Sequence, residues 1–376
     1  MERLYIIIQT IFVYMVVLMV LYNGGKRTAK TFRFKYVVYA ILFYSIIFGL
    51  RYGVGTDTNS YIKDYEYAVR GMQNGTYETG FAWFENLFAS NALPCSLYLG
   101  TIALLQLFLV YFALRKNKYV FPYIAITFML GCVWLSYANG IRQEIAFSIY
   151  FLAMSYMDKK HFYLYFILVF LATLFHKSAF ILFLTFPLLL INKDLFPSKK
   201  VQYVLFVLAI IAGNLNIVSE MMDRLETFAT MFGYENYFED RYLEKFIKKD
   251  SGNGVGYYVL LLLPVITIYY SDILKKHIPS ISKIYNLYFI GVILKYAFIN
   301  SPLIQRVNYY FYGFEFIVMA YLLYVLHENN RKVYRFFVLV LSIAFIGTLY
   351  RMFDNDSAFY FIGQEELHKQ LTHKTF

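Results

Sequence analysis

Residues 4–22 read LYIIIQTIFVYMVVLMVLY, nineteen positions without a charge. A helix of that length rises about 1.5 Å per residue and crosses a hydrocarbon core of about 30 Å. The run lacks a small-residue cleavage site, because Asn23, Gly24 and Gly25 lead straight into a basic stretch, so it is expected to be retained and not cut as a signal peptide. Similar runs recur along the 376 residues, at about 36–50, 95–114, 119–138, 143–157, 162–176, 178–192, 201–218, 256–273, 284–300, 308–327 and 334–350. The expectation is an all-α, polytopic membrane bundle of about twelve transmembrane helices, folded as one integral membrane domain over 1–376.

Composition supports that reading and excludes others. Hydrophobic residues make up 60% of the chain and charged residues 16%, too few charges to cover a water-facing surface. The 39 Tyr and 39 Phe suit helices whose ends sit in the interfacial belts of a bilayer. Cys95 and Cys132 offer neither a disulfide framework nor a Cys-rich metal site. The net charge of +11 is spread in small groups between apolar runs, which fits membrane orientation better than nucleic-acid binding.

Charge orients the bundle, because short loops rich in Lys and Arg stay in the cytoplasm. Alternate loops hold Lys26 to Lys35, Arg115 to Lys118, Lys159 and Lys160, Lys193 to Lys200, Lys275 to Lys283, and Arg331 to Arg335. Together they carry 19 basic residues against four acidic ones; the rest of the chain carries 16 basic and 20 acidic residues. The first set is assigned to the cytoplasm, so both termini face outward. Two outer segments are long. Residues 51–94 are amphipathic, with Tyr61, Tyr65, Ala68 and Met72 at helical spacing and a later apolar face in Phe81, Phe84, Leu87 and Phe88, as in a surface-lying or re-entrant helix. Residues 219–255 mix Glu and Asp with Lys and Arg and end in Ser251-Gly-Asn-Gly254, as a lid-like loop would.

Positive charge on the outer side runs against the orientation rule and so asks for a partner. Arg51 opens Arg51-Tyr-Gly-Val-Gly-Thr-Asp57-Thr-Asn-Ser-Tyr61; Arg142 lies in Asn139-Gly-Ile-Arg142-Gln143-Glu144. His176 and Lys177 make a tight outer turn, and Arg306 precedes Tyr309 and Tyr310. All four places fall at one depth. Guanidinium groups bind phosphate oxygens bidentately and keep their charge, so these cations suit a diphosphate joined to a lipid. Bland readings compete at each position. An arginine at a helix end commonly snorkels, His176 would cap a helix C-terminus, and Asp57 would make an Asx-type turn with Thr58 or Asn59. Glu144 would pair with Arg142 or cap its helix, and Lys295 and Glu315 would face the interior and pair with each other. The six scattered histidines give no metal-ligand spacing, and no Gly-x-Ser-x-Gly elbow is present.

These stretches, with Leu174-Phe-His176-Lys177-Ser-Ala179 and Gln305-Arg306-Val-Asn-Tyr-Tyr310, resemble the EpsG/Wzy-type polysaccharide polymerases of bacterial envelopes over roughly residues 30–360. The tail Asp356-Ser-Ala-Phe-Tyr360 departs from the Tyr-Pro-Tyr pattern often seen in that family. The resemblance implies a GT-C-like fold in the bacterial cytoplasmic membrane with the active site on its outer side. It implies transfer of a growing glycan from polyprenyl diphosphate to a sugar hydroxyl of the next lipid-linked oligosaccharide repeat unit, in O-antigen, capsule or exopolysaccharide synthesis. No cofactor or metal is expected. Partners would be the lipid-linked oligosaccharide, membrane lipid, and a flippase and chain-length regulator of the same pathway, with no nucleic acid. Arg142 and Arg306 are first choices to stabilise the leaving diphosphate, supported by Arg51 and Lys177; His176, then Asp57, is the candidate base. Gln143, Tyr61, Tyr309 and Tyr310 are candidate substrate-binding residues, the tyrosines, with Tyr52, as platforms for sugar rings. Alternatives are a lipid-linked oligosaccharide flippase, whose cations would line a passage, a membrane O-acyltransferase, and a scaffold whose rim cations are replaceable.

Overall fold

The computed structural model describes residues 2–55, 57–72, 77–157, 161–191, 193–215, 255–354, 358–366 and 368. Among these residues the chain is all-helical but for two short strands. In order come α1 (Glu2–Thr31), α2 (Lys35–Gly49), β1 (Arg51–Tyr52), α3 (Thr58–Val69), α4 (Thr79–Ala89), α5 (Cys95–Ala113), α6 (Phe121–Leu130), α7 (Val133–Asn139), α8 (Ile141–Met154) and α9 (Phe162–Phe175). They are followed by α10 (Leu182–Leu190), α11 (Lys199–Asn214), α12 (Val255–Tyr269), α13 (Ser271–His277), α14 (Ser282–Ala297), α15 (Pro302–Tyr312), α16 (Glu315–Asn329), α17 (Arg331–Asp354) and β2 (Tyr360–Phe361). The chain divides into two compact units, Met1–Phe183 with Arg331–Phe376, and Leu184–Asn330.

Each apolar run expected to span coincides with a helix, but not each is a full-length rod. Among the described residues, Glu2–Thr31, Cys95–Ala113, Leu303–Asn329 and Arg331–Phe353 are long and apolar enough to cross a membrane. Lys118–Leu130 and Val133–Asn139 add a fifth if taken as one span bent by 69°. The helices Lys35–Gly49, Phe162–Phe175 and Lys177–Leu190 are apolar but shorter. Among the described residues the expected count of about twelve is thus four or five by length and composition, because one run is bent at Gly131-Cys132 and α2, α8, α9 and α14 are only 14 to 16 residues long. The first helix departs the other way: it continues through Lys26, Arg27 and Lys30, which the charge pattern assigned to a loop. The lid-like segment 219–255 lies, but for Val255, outside the described residues.

In the first unit, small residues let backbones approach, as they do where helices have no hydrophobic drive to associate. At the crossing of α2 and α5, a Cβ on Gly49 would stand 2.5 Å from the Ser96 carbonyl oxygen and 2.9 Å from Gly100 Cα. Gly25 of α1 lies equally close to the Phe121 carbonyl that opens α6. The ends of this unit differ in charge. One end joins the basic stretches, with Lys118 Nζ donating to the Phe32 carbonyl at 2.7 Å and Tyr334 ring-packed on Tyr123. At the other, β1 and β2 pair antiparallel, Arg51 opposite Phe361 and Tyr52 opposite Tyr360. Gln9 Nε2 donates to the Phe359 carbonyl there and the Phe359 N–H to Thr10 Oγ1, so the divergent tail is bound into the fold beside α1.

The amphipathic segment 51–94 forms two helices, α3 and α4, each with a buried apolar face and an exposed opposite face. Tyr61, Tyr65, Phe81, Phe84 and Phe88 are buried, Tyr65 stacks on Tyr98 of α5 at 4.7 Å, and its hydroxyl donates to the Leu93 carbonyl. Met72 and Leu87, expected on the apolar faces, are exposed instead; α3 ends at Val69, three residues short of Met72.

In the second unit, α11 crosses α14 at Gly213, where a Cβ would meet the Tyr296 carbonyl oxygen at 2.1 Å. Gly291 of α14 lies as close to the Tyr312 backbone of α15. Asn286 ties the chain before α11 to α14, accepting from the Leu195 N–H and donating to the Lys193 carbonyl. Lys275 pairs with Asp194 at 2.8 Å. Lys295 sits 3.6 Å from the centroid of the Tyr312 ring, with Glu315 as a longer-range charge partner, so the expected direct Lys295–Glu315 pair is replaced by a cation–π contact.

The α2–α5 crossing generates a stability prediction. Gly49→Val is expected to cost about 1–3 kcal/mol, read as a lower unfolding midpoint in detergent. Gly347→Ala, where an added Cβ meets nothing within 4 Å, leaves the midpoint unchanged or slightly higher.

Candidate functional site at the tail end of the first unit

The site begins with a broken helix. Cys132 takes a left-handed conformation (φ 58°) between α6 and α7, and Gly140 interrupts α7 and α8. A helix that stops inside protein leaves carbonyl oxygens to be satisfied. Gln106 of α5 donates from Nε2 to the Tyr137 and Ile141 carbonyls at 3.3 and 3.1 Å. Ala138 accepts from Arg51 Nη2 at 3.3 Å and from Thr58 Oγ1 at 3.2 Å. Arg51 also donates from Nη1 to the Phe48 carbonyl at 2.5 Å and is 1% exposed. Its cation therefore faces the negative C-terminal ends of α2 and α7. The arginine expected at the outer rim instead points inward and spends its hydrogen bonds on backbone.

The loop after Arg51 wraps the same break. Asp57 donates its N–H to Asn139 Oδ1 at 2.8 Å, and Asn139 Nδ2 donates back to Asp57 Oδ2 at 3.3 Å. Gly55 has φ +81°, and a Cβ there would stand 2.6 Å from Asn139 Oδ1, so both the turn and the close approach require glycine. The two stretches singled out in the sequence, 51–61 and 139–146, thus form one packed structure. Asp57 engages Asn139 through both its N–H and its carboxylate.

Arg142 emerges in the first turn of α8. Its Nη1 lies 2.5 Å from Glu78 Oε2 and its Nε 3.4 Å from the Tyr61 hydroxyl. The guanidinium stands over the Tyr77 ring at 4.9 Å and the Phe81 ring at 6.0 Å. The second carboxylate oxygen of Glu78 accepts the Lys177 N–H at 3.1 Å. Burial raises the Glu78 carboxyl pKa, but Arg142, His176 and the Lys177 amide outweigh it and hold it below the usual carboxylate range. His176 ends α9 as its C-cap, is 6% exposed, and places Nδ1 2.5 Å from Ser178 Oγ. Arg142, Tyr61, His176 and Lys177 are therefore brought together around Glu78, with Gln143 beside Arg142 in the same turn.

Glu78, not Glu144, is the ion-pair partner of Arg142; Glu144 is buried along α8. Sequence reading missed Glu78, although a signal existed: an arginine on the outer side calls for an anion, and 51–94 supplies several. Arg306, Tyr309 and Tyr310 belong to the second unit, on α15. That helix is capped by Ser301, whose Oγ accepts the Ile304 N–H, and is pinned to α14 by Asn308 Nδ2 on the Gly291 carbonyl and by Gln305 Nε2 on the Lys295 and Phe298 carbonyls. Tyr310 is fully buried, whereas Arg306 and Tyr309 are partly exposed. Among the described residues, no group of three or more His, Cys, Asp or Glu side chains is placed to share a metal ion.

A second carboxyl titrates near the site. Glu85 of α4, outside the spanning helices, is 7% exposed and accepts the Tyr98 hydroxyl at 3.4 Å. Burial, and the Asp64 charge after it, push its pKa up to about 7, against the bond from Tyr98 and the attraction of Arg142. Asp64 itself accepts the Tyr77 hydroxyl. A carboxyl raised on folding binds more protons in the native than in the unfolded state between its two pKa values. Stability is therefore fully present below about pH 4.5 for this group and falls as pH rises to about 7. The slope is at most about 1.4 kcal/mol per pH unit. Glu85→Gln should remove that part of the pH dependence, measured as unfolding midpoints in detergent across pH 4.5 to 8.

No curated protein and no solved structure matches the chain. The EpsG family matches it over residues 34–362, a range that takes in the Arg51 loop, the Arg142 turn, His176-Lys177 and the Arg306 helix. That match covers most of the sequence, and the chain is thereby a member of the EpsG family, the family of Wzy-type polysaccharide polymerases.

Proposed function

We propose that the protein joins polyprenyl-diphosphate-linked oligosaccharide repeat units by metal-independent glycosyl transfer on the outer face of the bacterial cytoplasmic membrane, within O-antigen, capsule or exopolysaccharide synthesis. The observation that carries this reading is the convergence of Arg142, Tyr61, His176 and Lys177 at one end of the first unit, the end opposite the basic stretches. Under the orientation rule the basic end is cytoplasmic, so the site faces outward. The proposed topology keeps about twelve crossings, several of them made by short or broken helices.

In the reaction, the bond between the anomeric carbon and the diphosphate oxygen breaks, and its electron pair stays on the diphosphate. The acceptor sugar hydroxyl forms the new bond to the anomeric carbon and gives its proton to a base. A leaving diphosphate gathers negative charge as the bond breaks, and cations fixed beforehand in a water-poor place stabilise it. Arg142 fits that task, since its guanidinium is held on a bed of Tyr77 and Phe81 and keeps its charge. Arg306 is assigned the same task, and Lys177, whose backbone N–H reaches Glu78, is assigned a supporting charge. His176 is assigned as the base, with its ring oriented by Ser178; Asp57, exposed and held by Asn139, is the reserve. Gln143, Tyr61 and Tyr309 would contact the sugars. Arg51, buried, bonds to the Phe48 and Ala138 carbonyls, and Tyr310 is buried on α15. The flippase reading is weaker, because Arg51, a cation it would place along a passage, is turned into the protein and bonded to Phe48 and Ala138.

Reconstitution with a lipid-diphosphate repeat unit tests this directly, with a ladder of products expected from the wild-type protein. Arg142→Ala and Arg306→Ala should insert normally yet slow elongation about a hundredfold or more, leaving single repeat units. Wild-type chain length in both variants, or movement of lipid-linked units with no growth, would overturn the assignment. His176→Ala should abolish turnover while substrate still binds; retained turnover shifts the base to Asp57.

A further inference from the structure

Arg142 already holds an anion of the protein's own making. Glu78 Oε2 lies 2.5 Å from Nη1, and the same carboxylate is steadied from the other side by the Lys177 N–H at 3.1 Å. The Glu78 side chain is 9% exposed and that of Arg142 24%. The pair is therefore partly shielded from water, where competing for a charge means replacing one desolvated contact by another. Tyr61 takes Nε, and the Tyr77 and Phe81 rings cover the guanidinium. Any anion that arrives must displace Glu78 or share its fork. A ligand bearing one charge gains by the exchange no more than the carboxylate it removes. A diphosphate brings more charge and a second set of oxygens for the freed N–H groups.

We propose that Glu78 is an internal competitor for Arg142 that yields the guanidinium only to an anion of higher charge than its own, so that Glu78 sets the selectivity of this site for diphosphate over singly charged groups. The proposal rests on the reading of Arg142 as a diphosphate-binding residue and adds a residue that reading does not use. It makes Glu78 a specificity determinant and not a base: a carboxylate paired with arginine and hydrogen-bonded by an amide is poorly placed to take a proton from a sugar hydroxyl.

The test is calorimetric titration of the full-length protein in detergent with inorganic pyrophosphate and, separately, with acetate as a singly charged carboxylate. The wild-type protein should bind pyrophosphate and show no measurable acetate binding. Glu78→Gln should bind pyrophosphate about tenfold or more tightly and acquire acetate binding, with an unfolding profile showing that it remains folded. Glu78→Asp, which keeps the charge but draws it back by one methylene, should shift both affinities in the same direction by less, and it decides the matter if the glutamine variant does not fold. Unchanged or weakened pyrophosphate affinity in these variants, while Arg142→Gln loses it, overturns the competitor role and leaves the diphosphate reading standing. Wild-type affinity in Arg142→Gln removes both.

Discussion

The guanidinium of Arg51, buried between the carbonyl ends of two helices, holds the end of the first unit together. It donates to Phe48 at the close of α2 and to Ala138 at the close of α7. A helix interrupted within protein leaves acceptors that water cannot reach, and each orphan is costly. Arg51 answers two helix ends at once, and its charge opposes their dipoles. Thr58 and Gln106 complete the satisfaction of the break at Tyr137, Ala138 and Ile141. The break is thereby fixed in place, and α8 begins at a defined point with Arg142 in its first turn.

From that point the electrostatics follow. Arg142 is half-sheltered by aromatic rings, so it needs an anion close by, and Glu78 supplies one from the segment between α3 and α4. Packing of α3 and α4 against α5, through Tyr65 on Tyr98 and Phe84 near Phe88 and Tyr98, delivers that carboxylate. Lys177 and His176 reach the same place because α9 ends against it, with Phe84 on Phe175 and Gly80 close to Leu174. The tail strand at Tyr360–Phe361 closes the arrangement by pairing with Arg51–Tyr52.

Several residues of the candidate site were legible in the sequence because arginines outside the basic loops are conspicuous. Arg142, His176, Lys177 and Tyr61 were singled out on charge and motif, and in the first unit they share a neighbourhood. Arg51 was legible as important but not as structural; nothing in a local window distinguishes a guanidinium aimed at a ligand from one aimed at a carbonyl. Glu78 was hidden because it lies 64 positions from its partner in a segment read for its apolar face, and Glu85 was hidden for the same reason. Lys295 and Glu315 were expected to pair, and an intervening tyrosine ring took the cation instead.

The sequence by itself determined that the chain is helical and built for a bilayer, that its basic groups alternate, and roughly where its apolar segments lie. Those are properties of composition and of periodicity within a single helix, set by the cost of placing charge or bare backbone in hydrocarbon. Only the tertiary structure decided where helices break, that Arg51 bonds to backbone carbonyls, and that Arg142 meets Glu78. Those outcomes depend on hydrogen bonds and charges between residues far apart in the chain, whose pairing is fixed by how helices cross at glycines such as Gly49 and Gly100.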